Sequence, residues 1–218
     1  LRYSERVTVH TALPSNYQEA LCYPITARRR LLLLNVLALI PLAVMGAGMF
    51  ALWALYEALD APLTLAFLDR RLLLSDFDIP AMLVLLLLVL PLHELCHGLA
   101  FRLLGVRKMH YGIKPRRMIL YAMPAGEAYL GRDQFILATL TPLLFVTALG
   151  VPLLLLLPFG ARLLLVLVVA FNAAGAVGDL WAVGVVMRFG ADALVRDLGD
   201  TFVVYIPSDS IPPAPAVG

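Results

Sequence analysis

The sequence predicts an all-α polytopic membrane protein: four transmembrane helices, with a small cytoplasmic β-hairpin between the second and third. Three observations predict it. Of 218 residues, 61% are hydrophobic and only 15% are charged, whereas soluble domains run near half apolar and a quarter charged. The apolar residues gather into four blocks, each long enough to cross a hydrocarbon layer of about 30 Å, which takes roughly 20 residues of helix. The basic residues fall unevenly on the two sides of those blocks, as they do in polytopic proteins. The same figures weigh against other classes. A net charge of +2 gives no case for nucleic acid as a partner, and two cysteines, Cys22 and Cys96, do not make a disulfide framework.

Taken in order, residues 1–30 read as a cytoplasmic N-terminal segment and residues 31–55 as the first span. That stretch is too long for a signal-peptide core and lacks a small-residue cleavage site, so it reads as a retained helix. Residues 62–78 (PLTLAFLDRRLLLSDFD) mix apolar and charged side chains too closely to span, and read as an interfacial helix or a membrane-hugging loop. The second span is 79–104. Residues 109–129 (MHYGIKPRRMILYAMPAGEAY) carry β-favouring residues, with Gly112, Pro115 and Pro124 as turn formers and no helical period, hence the hairpin. The third and fourth spans are 134–157 and 162–187. The tail, 188–218, holds a short strand at 201–206 (TFVVYI) and a Pro-rich end that reads as disordered. Residues 31–187 thus form one four-helix membrane domain between two cytoplasmic segments.

Orientation follows from lysine and arginine, which are retained in the cytoplasm. Arg2, Arg6, Arg28, Arg29 and Arg30 precede the first span, seven basic residues lie between Arg102 and Arg132, and Arg188 and Arg196 follow the last; Arg70, Arg71 and Arg162 face the other way. The expectation is a multi-pass protein of the cell membrane with both termini cytoplasmic. The run from Arg28 to Arg30 is read as this topology signal rather than as a lipid-binding patch.

Ionisable groups inside a bilayer cost several kcal/mol unless they are paired or ligating. The second span nevertheless contains His93-Glu94-Leu95-Cys96-His97, an HExxH pattern. In a helix the two histidines fall one turn apart on the same face, where they can hold one Zn²⁺, and Glu94 beside them can take a proton from an attacking water. Pro91 is expected to kink the span near Leu87. Cys96 reads as a packing residue rather than a fourth ligand.

A catalytic zinc site needs a third protein ligand. Ala100 and Leu103 stand where an extended HExxHxxGxxH pattern has Gly and His, so the ligand must come from elsewhere. His110 and Glu127 fall in the hairpin and Asp133 at the mouth of the third span. Asp179, in the fourth, lies at the depth of His97, roughly 10 to 12 Å in from the same face at 1.5 Å per residue. Asn172 is seven residues earlier, on the same face as Asp179, and is a candidate for contacting substrate or supporting a ligand. The small residues Ala173, Ala174, Gly175, Ala176 and Gly178 would allow close helix approach.

With His93 to Gly98, Tyr121-Ala122-Met123-Pro124, Thr141-Pro142 and Asn172 through Gly178-Asp179 in view, residues 91–180 resemble the putative zincin peptidases. That family of membrane proteins is related to the site-2 protease class of intramembrane metalloproteases. In site-2 proteases the third ligand is an aspartate followed by glycine in a late helix, whereas here glycine precedes Asp179. The resemblance implies a zinc metalloendopeptidase that cleaves membrane or membrane-proximal protein or peptide substrates in contact with the lipid bilayer. Zn²⁺ would be held by His93, His97 and Asp179, and Glu94 would serve as the catalytic base. An extended substrate is expected to pair with the 118–122 edge of the hairpin by strand addition. A catalytically silent metal-binding scaffold or regulator, or a small transporter, remains the alternative. The intact Glu94 weighs against the first and the lack of a polar pathway through both leaflets against the second.

Overall fold

The computed structural model describes residues 9–25, 27–59, 79–114, 119–157 and 159–210, so the readings of 62–78 and of the Pro-rich end lie outside the described residues. Four helical stretches within them are long and apolar enough to span a membrane: Arg29–Ala58, Leu83–Leu103, Arg132–Leu156 and Ala161–Val186. The protein is not all-α, however. Strands β1 (Tyr17–Pro24), β4 (Leu130–Gly131), β5 (Leu194–Asp197) and β6 (Thr201–Pro207) form an antiparallel sheet in the order β1-β6-β5-β4. Only β6 is legible in the sequence as a strand. β1 (YQEALCYP) carries Gln18, Glu19 and Ala20 with no sustained alternation, and extends because β6, far along the chain, pairs with it from Tyr17↔Pro207 to Pro24↔Thr201.

By its contacts the chain divides into two units, one of residues 1–31, 97–140 and 179–218, the other of 32–96 and 141–178. The first contains the four-stranded sheet and the expected hairpin, β2 (Met109–Lys114) with β3 (Ile119–Pro124), in the register Met109↔Pro124 to Lys114↔Ile119. Its core gathers Phe101, Leu130, Phe135, Val186, Val195, Phe202 and Val204, all buried. Helix α3 (Ile79–Leu103) ends here in a glycine stop. Gly105 takes φ +103°, Gly105 N–H donates to the Arg102 carbonyl and Val106 N–H to that of Phe101, both at 3.0 Å, which caps the last carbonyls and turns the chain into β2.

The second unit is helical. The first span is two helices, α1 (Arg28–Leu37) and α2 (Leu39–Ala58), separated at Ala38; Pro41 has no N–H to offer the Leu37 carbonyl, which accounts for the interruption. The last span is likewise divided into α5 (Phe159–Gly175) and α6 (Val177–Val186), where Gly175 and Gly178 flank the break. By contrast α3 runs through Pro91, and α4 (Arg132–Leu156) through Pro142 and Pro152. Met49, Trp53, Cys96, Val146, Leu154, Val166 and Val169 form the core, which gives Cys96 its packing role. Gly46 lets α5 come close to α2, since a Cβ there would stand 3.7 Å from that of Ala170. The buried Arg162 pairs with Glu57, donates to the Leu157 carbonyl and lies over the Tyr56 ring, so its own charge is compensated.

Candidate metal centre

His93 and His97 are both buried, one helical turn apart on α3. What each ring can offer is decided by its other nitrogen. His97 Nδ1 lies 3.1 Å from the Ala138 carbonyl of α4. A carbonyl only accepts, so Nδ1 carries the proton and Nε2 keeps its lone pair. That carbonyl is available because of Pro142: four residues on, where a helix would supply an N–H, proline has none.

The same logic fixes His93. Asn172, 1% exposed on α5, donates its Nδ2 to the Pro142 carbonyl at 3.1 Å. Its amide is thereby oriented, and Oδ1 is the atom 3.1 Å from His93 Nδ1. His93 is therefore also protonated at Nδ1, and its Nε2 is the nitrogen with the lone pair. One proline supports both histidines, through the carbonyl its missing N–H releases and through its own.

On the other side of His97, Asp179 in the first turn of α6 brings Oδ1 to 3.5 Å from Nε2. His93 precedes His97 by a turn of the same unbroken helix, and the three side chains present ligand atoms within 4.8 Å of one another, a possible metal site. Zinc fits this donor set. Two ligand atoms each about 2.0–2.1 Å from a tetrahedral ion stand about 3.3 Å apart, and two imidazole nitrogens with a carboxylate are a common zinc triad. Glu94 is partly buried on α3 beside His93. The other candidates are engaged elsewhere: Glu127 with Arg196 at 3.8 Å, Asp133 with Arg132 at 2.8 Å, and His110 stacked on Tyr121.

Two features are not marked by the residues that carry them. One is the Ala138 carbonyl, whose signal is Pro142 four residues on. The other is Asp197, at the end of β5, whose carboxylate accepts from Gly199 N–H at 2.7 Å. Burial pushes Asp197 up to about 6 and the nearby Asp179 adds to this, while the Gly199 hydrogen bond and His97 pull it down.

A family model described as putative zincin peptidase matches residues 86–194. The chain belongs to that family. The matched stretch contains His93, Glu94, His97, Asn172 and Asp179, and zincin peptidases are by that description zinc metallopeptidases. Neither curated proteins nor solved structures gave a match. The matched stretch thus contains the three residues of the possible metal site, in a chain with four helices long and apolar enough to span a membrane among the described residues.

Proposed function

We propose that this zincin peptidase is a membrane-embedded endopeptidase of the site-2 protease type, cutting peptide bonds of membrane or membrane-proximal protein substrates. The observation that carries the proposal is the paired orientation of His93 and His97. Asn172 and the Ala138 carbonyl hold both Nδ1 atoms, which leaves Nε2 as the ligating nitrogen of each ring, that of His97 3.5 Å from Asp179. Such an arrangement, on helices apolar enough to lie in a bilayer, supports a reaction centre supplied with water and peptide inside or at the edge of the membrane.

His93, His97 and Asp179 would hold Zn²⁺, which when bound lowers the pKa of a water and polarises a carbonyl. Glu94 then accepts the proton of the attacking water and passes it to the departing amine. Asn172 keeps the His93 ring from turning, a supporting role rather than a substrate contact, because its buried amide already serves His93 and Pro142. A substrate has to be extended to be cut. β3, which has β2 as its one neighbour in the two-stranded sheet, offers it an edge to pair with; of the 118–122 segment, Met118 lies outside the described residues. Both termini would face the cytoplasm, as the arginine distribution favours.

The test is metal content and cleavage in parallel. Purified protein should hold about one zinc per chain. Glu94→Gln should keep that zinc and lose the processing of membrane proteins that distinguishes cells with the active protein from cells without it. Processing unchanged in Glu94→Gln defeats the mechanism. Zinc content unchanged in His97→Ala and Asp179→Ala defeats the ligand assignment.

A further inference from the structure

The residue after the second histidine, Gly98, is shaped by the hairpin. Tyr111 of β2 reaches across to α3, and its hydroxyl occupies the space that a side chain at position 98 would take. A Cβ there would overlap the hydroxyl oxygen and stand 2.7 Å from Cζ and 3.0 Å from Cε1 of the ring. Real side chains do not come so close, so glycine is required at 98 for as long as Tyr111 stays where it is.

The position of that hydroxyl follows from helix geometry. At about 100° per residue, His97 lies about 40° round the helix from His93, Glu94 about 100° and Gly98 about 140°. Gly98 therefore shares the face of Glu94, one turn on, and because Cβ bonds tilt toward the helix N-terminus, the space over Gly98 lies on the Glu94 side. A peptide presented to the two histidines and to Glu94 has to lie along this arc, with the Tyr111 hydroxyl at its margin. Tyr111 is 45% exposed, so it borders the approach rather than filling the core.

Peptide hydrolysis builds negative charge on the carbonyl oxygen, and a fixed donor aimed at that atom stabilises the reaction more than the ground state. Asn172, the amide in contact with His93, is already committed to that ring and to the Pro142 carbonyl. Glu94 and Asp179 are acceptors when ionised. A phenol is a donor, and that of Tyr111 stands beside the catalytic face.

We propose that Tyr111 is a substrate-contacting residue of this centre, donating its hydroxyl hydrogen to the carbonyl oxygen of the peptide laid along α3, and that Gly98 is there to admit it. This rests on the zinc-peptidase reading. The probe is acetohydroxamate, a small metal-chelating mimic of a reacting peptide group, titrated into the full chain loaded with Co²⁺ in detergent and followed by the visible cobalt spectrum. Tyr111→Phe should bind one Co²⁺ with the wild-type spectrum and unfold at the wild-type temperature, yet bind acetohydroxamate about tenfold more weakly, 1.4 kcal/mol. Gly98→Ala should show a similar loss in the wild-type background and none in a Tyr111→Ala background, where the ring it displaces is gone. If Tyr111→Phe binds the probe as tightly as wild type while its cobalt spectrum is intact, this proposal alone is overturned. If the wild-type chain binds no cobalt, the metal reading falls and the proposal with it.

Discussion

Replacing Asn172 by leucine tests how much of the metal site depends on its support. Leucine has the branching of asparagine but more bulk, so the change opens no cavity in a position only 1% exposed, and its effect is that of the two lost hydrogen bonds plus some crowding where the amide stood. Asn172 accepts from His93 Nδ1 and donates to the Pro142 carbonyl, each at 3.1 Å. Of the two groups orphaned, the His93 N–H is the costlier. It has a single direction to donate in, whereas the Pro142 carbonyl keeps a second acceptor site in α4. A buried donor left without a partner costs about 1–3 kcal/mol, so the metal-free protein should lose about 2 kcal/mol of stability. In the variant the imidazole is no longer held by its Nδ1, and zinc affinity should fall about 10- to 100-fold, the usual penalty for removing a ligand's hydrogen-bond partner. The measurement is zinc competition against a chromogenic chelator on detergent-purified protein, with thermal unfolding of the metal-free form alongside. Asn172→Asp separates the two bonds. A carboxylate still accepts from His93 but cannot donate to Pro142, so it should keep most of the zinc affinity that leucine loses. Affinity within twofold of wild type in Asn172→Leu would refute the argument that Asn172 orients His93.

Pro142→Ala restores an N–H to α4 that competes with His97 for the Ala138 carbonyl. Thermal stability should rise or stay level, as removing an interior proline allows, while zinc affinity falls about 3- to 10-fold; an unchanged affinity would mean that the carbonyl does not orient His97. Burial pushes the Asp197 carboxyl up to about 6 in the folded chain, against about 3.9 for a free aspartate. Between these values the folded state holds more protons than the unfolded one, so stability of the metal-free protein should fall as pH rises through that window. The fall should be at most about 3 kcal/mol, with no further loss above it. Asp197→Asn should flatten the curve, and a slope surviving in that variant, followed by unfolding from pH 4 to 7, would place the titration elsewhere.

The site and the fold differ in how local their signals are. HExxH is informative because a helix alone fixes how His93, Glu94 and His97 stand to one another, and a helix is what so apolar a segment must form in a bilayer. Asp179 was within reach because span depth is a one-dimensional coordinate that residue counting measures well. β1 and β5 were not within reach. Tyr17–Pro24 becomes a strand only through Thr201–Pro207, and a four-residue β5 has too little length to show a period. The division into α5 and α6 is not legible for a different reason, since hydropathy is blind to backbone continuity and residues 162–187 read as one apolar block.

Pro142 shows where more could have been read. A proline in an apolar span is usually weighed for the bend it produces, yet its more certain effect is on hydrogen bonding: the carbonyl four residues earlier loses its helical donor. In a bilayer that carbonyl cannot turn to water and needs a protein donor. Counting back from Pro142 gives Ala138, and that carbonyl accepts from His97. Pro142 is ten residues into its helix and the HExxH motif sits deep in its own, so a proline-released acceptor and a histidine in need of an orienting acceptor meet one another's requirement. Pro91 and Pro152 release the carbonyls of Leu87 and Ala148 by the same rule. The useful sequence signal is therefore the pair, a proline-released carbonyl together with a ligand whose second nitrogen needs a partner, rather than the proline alone.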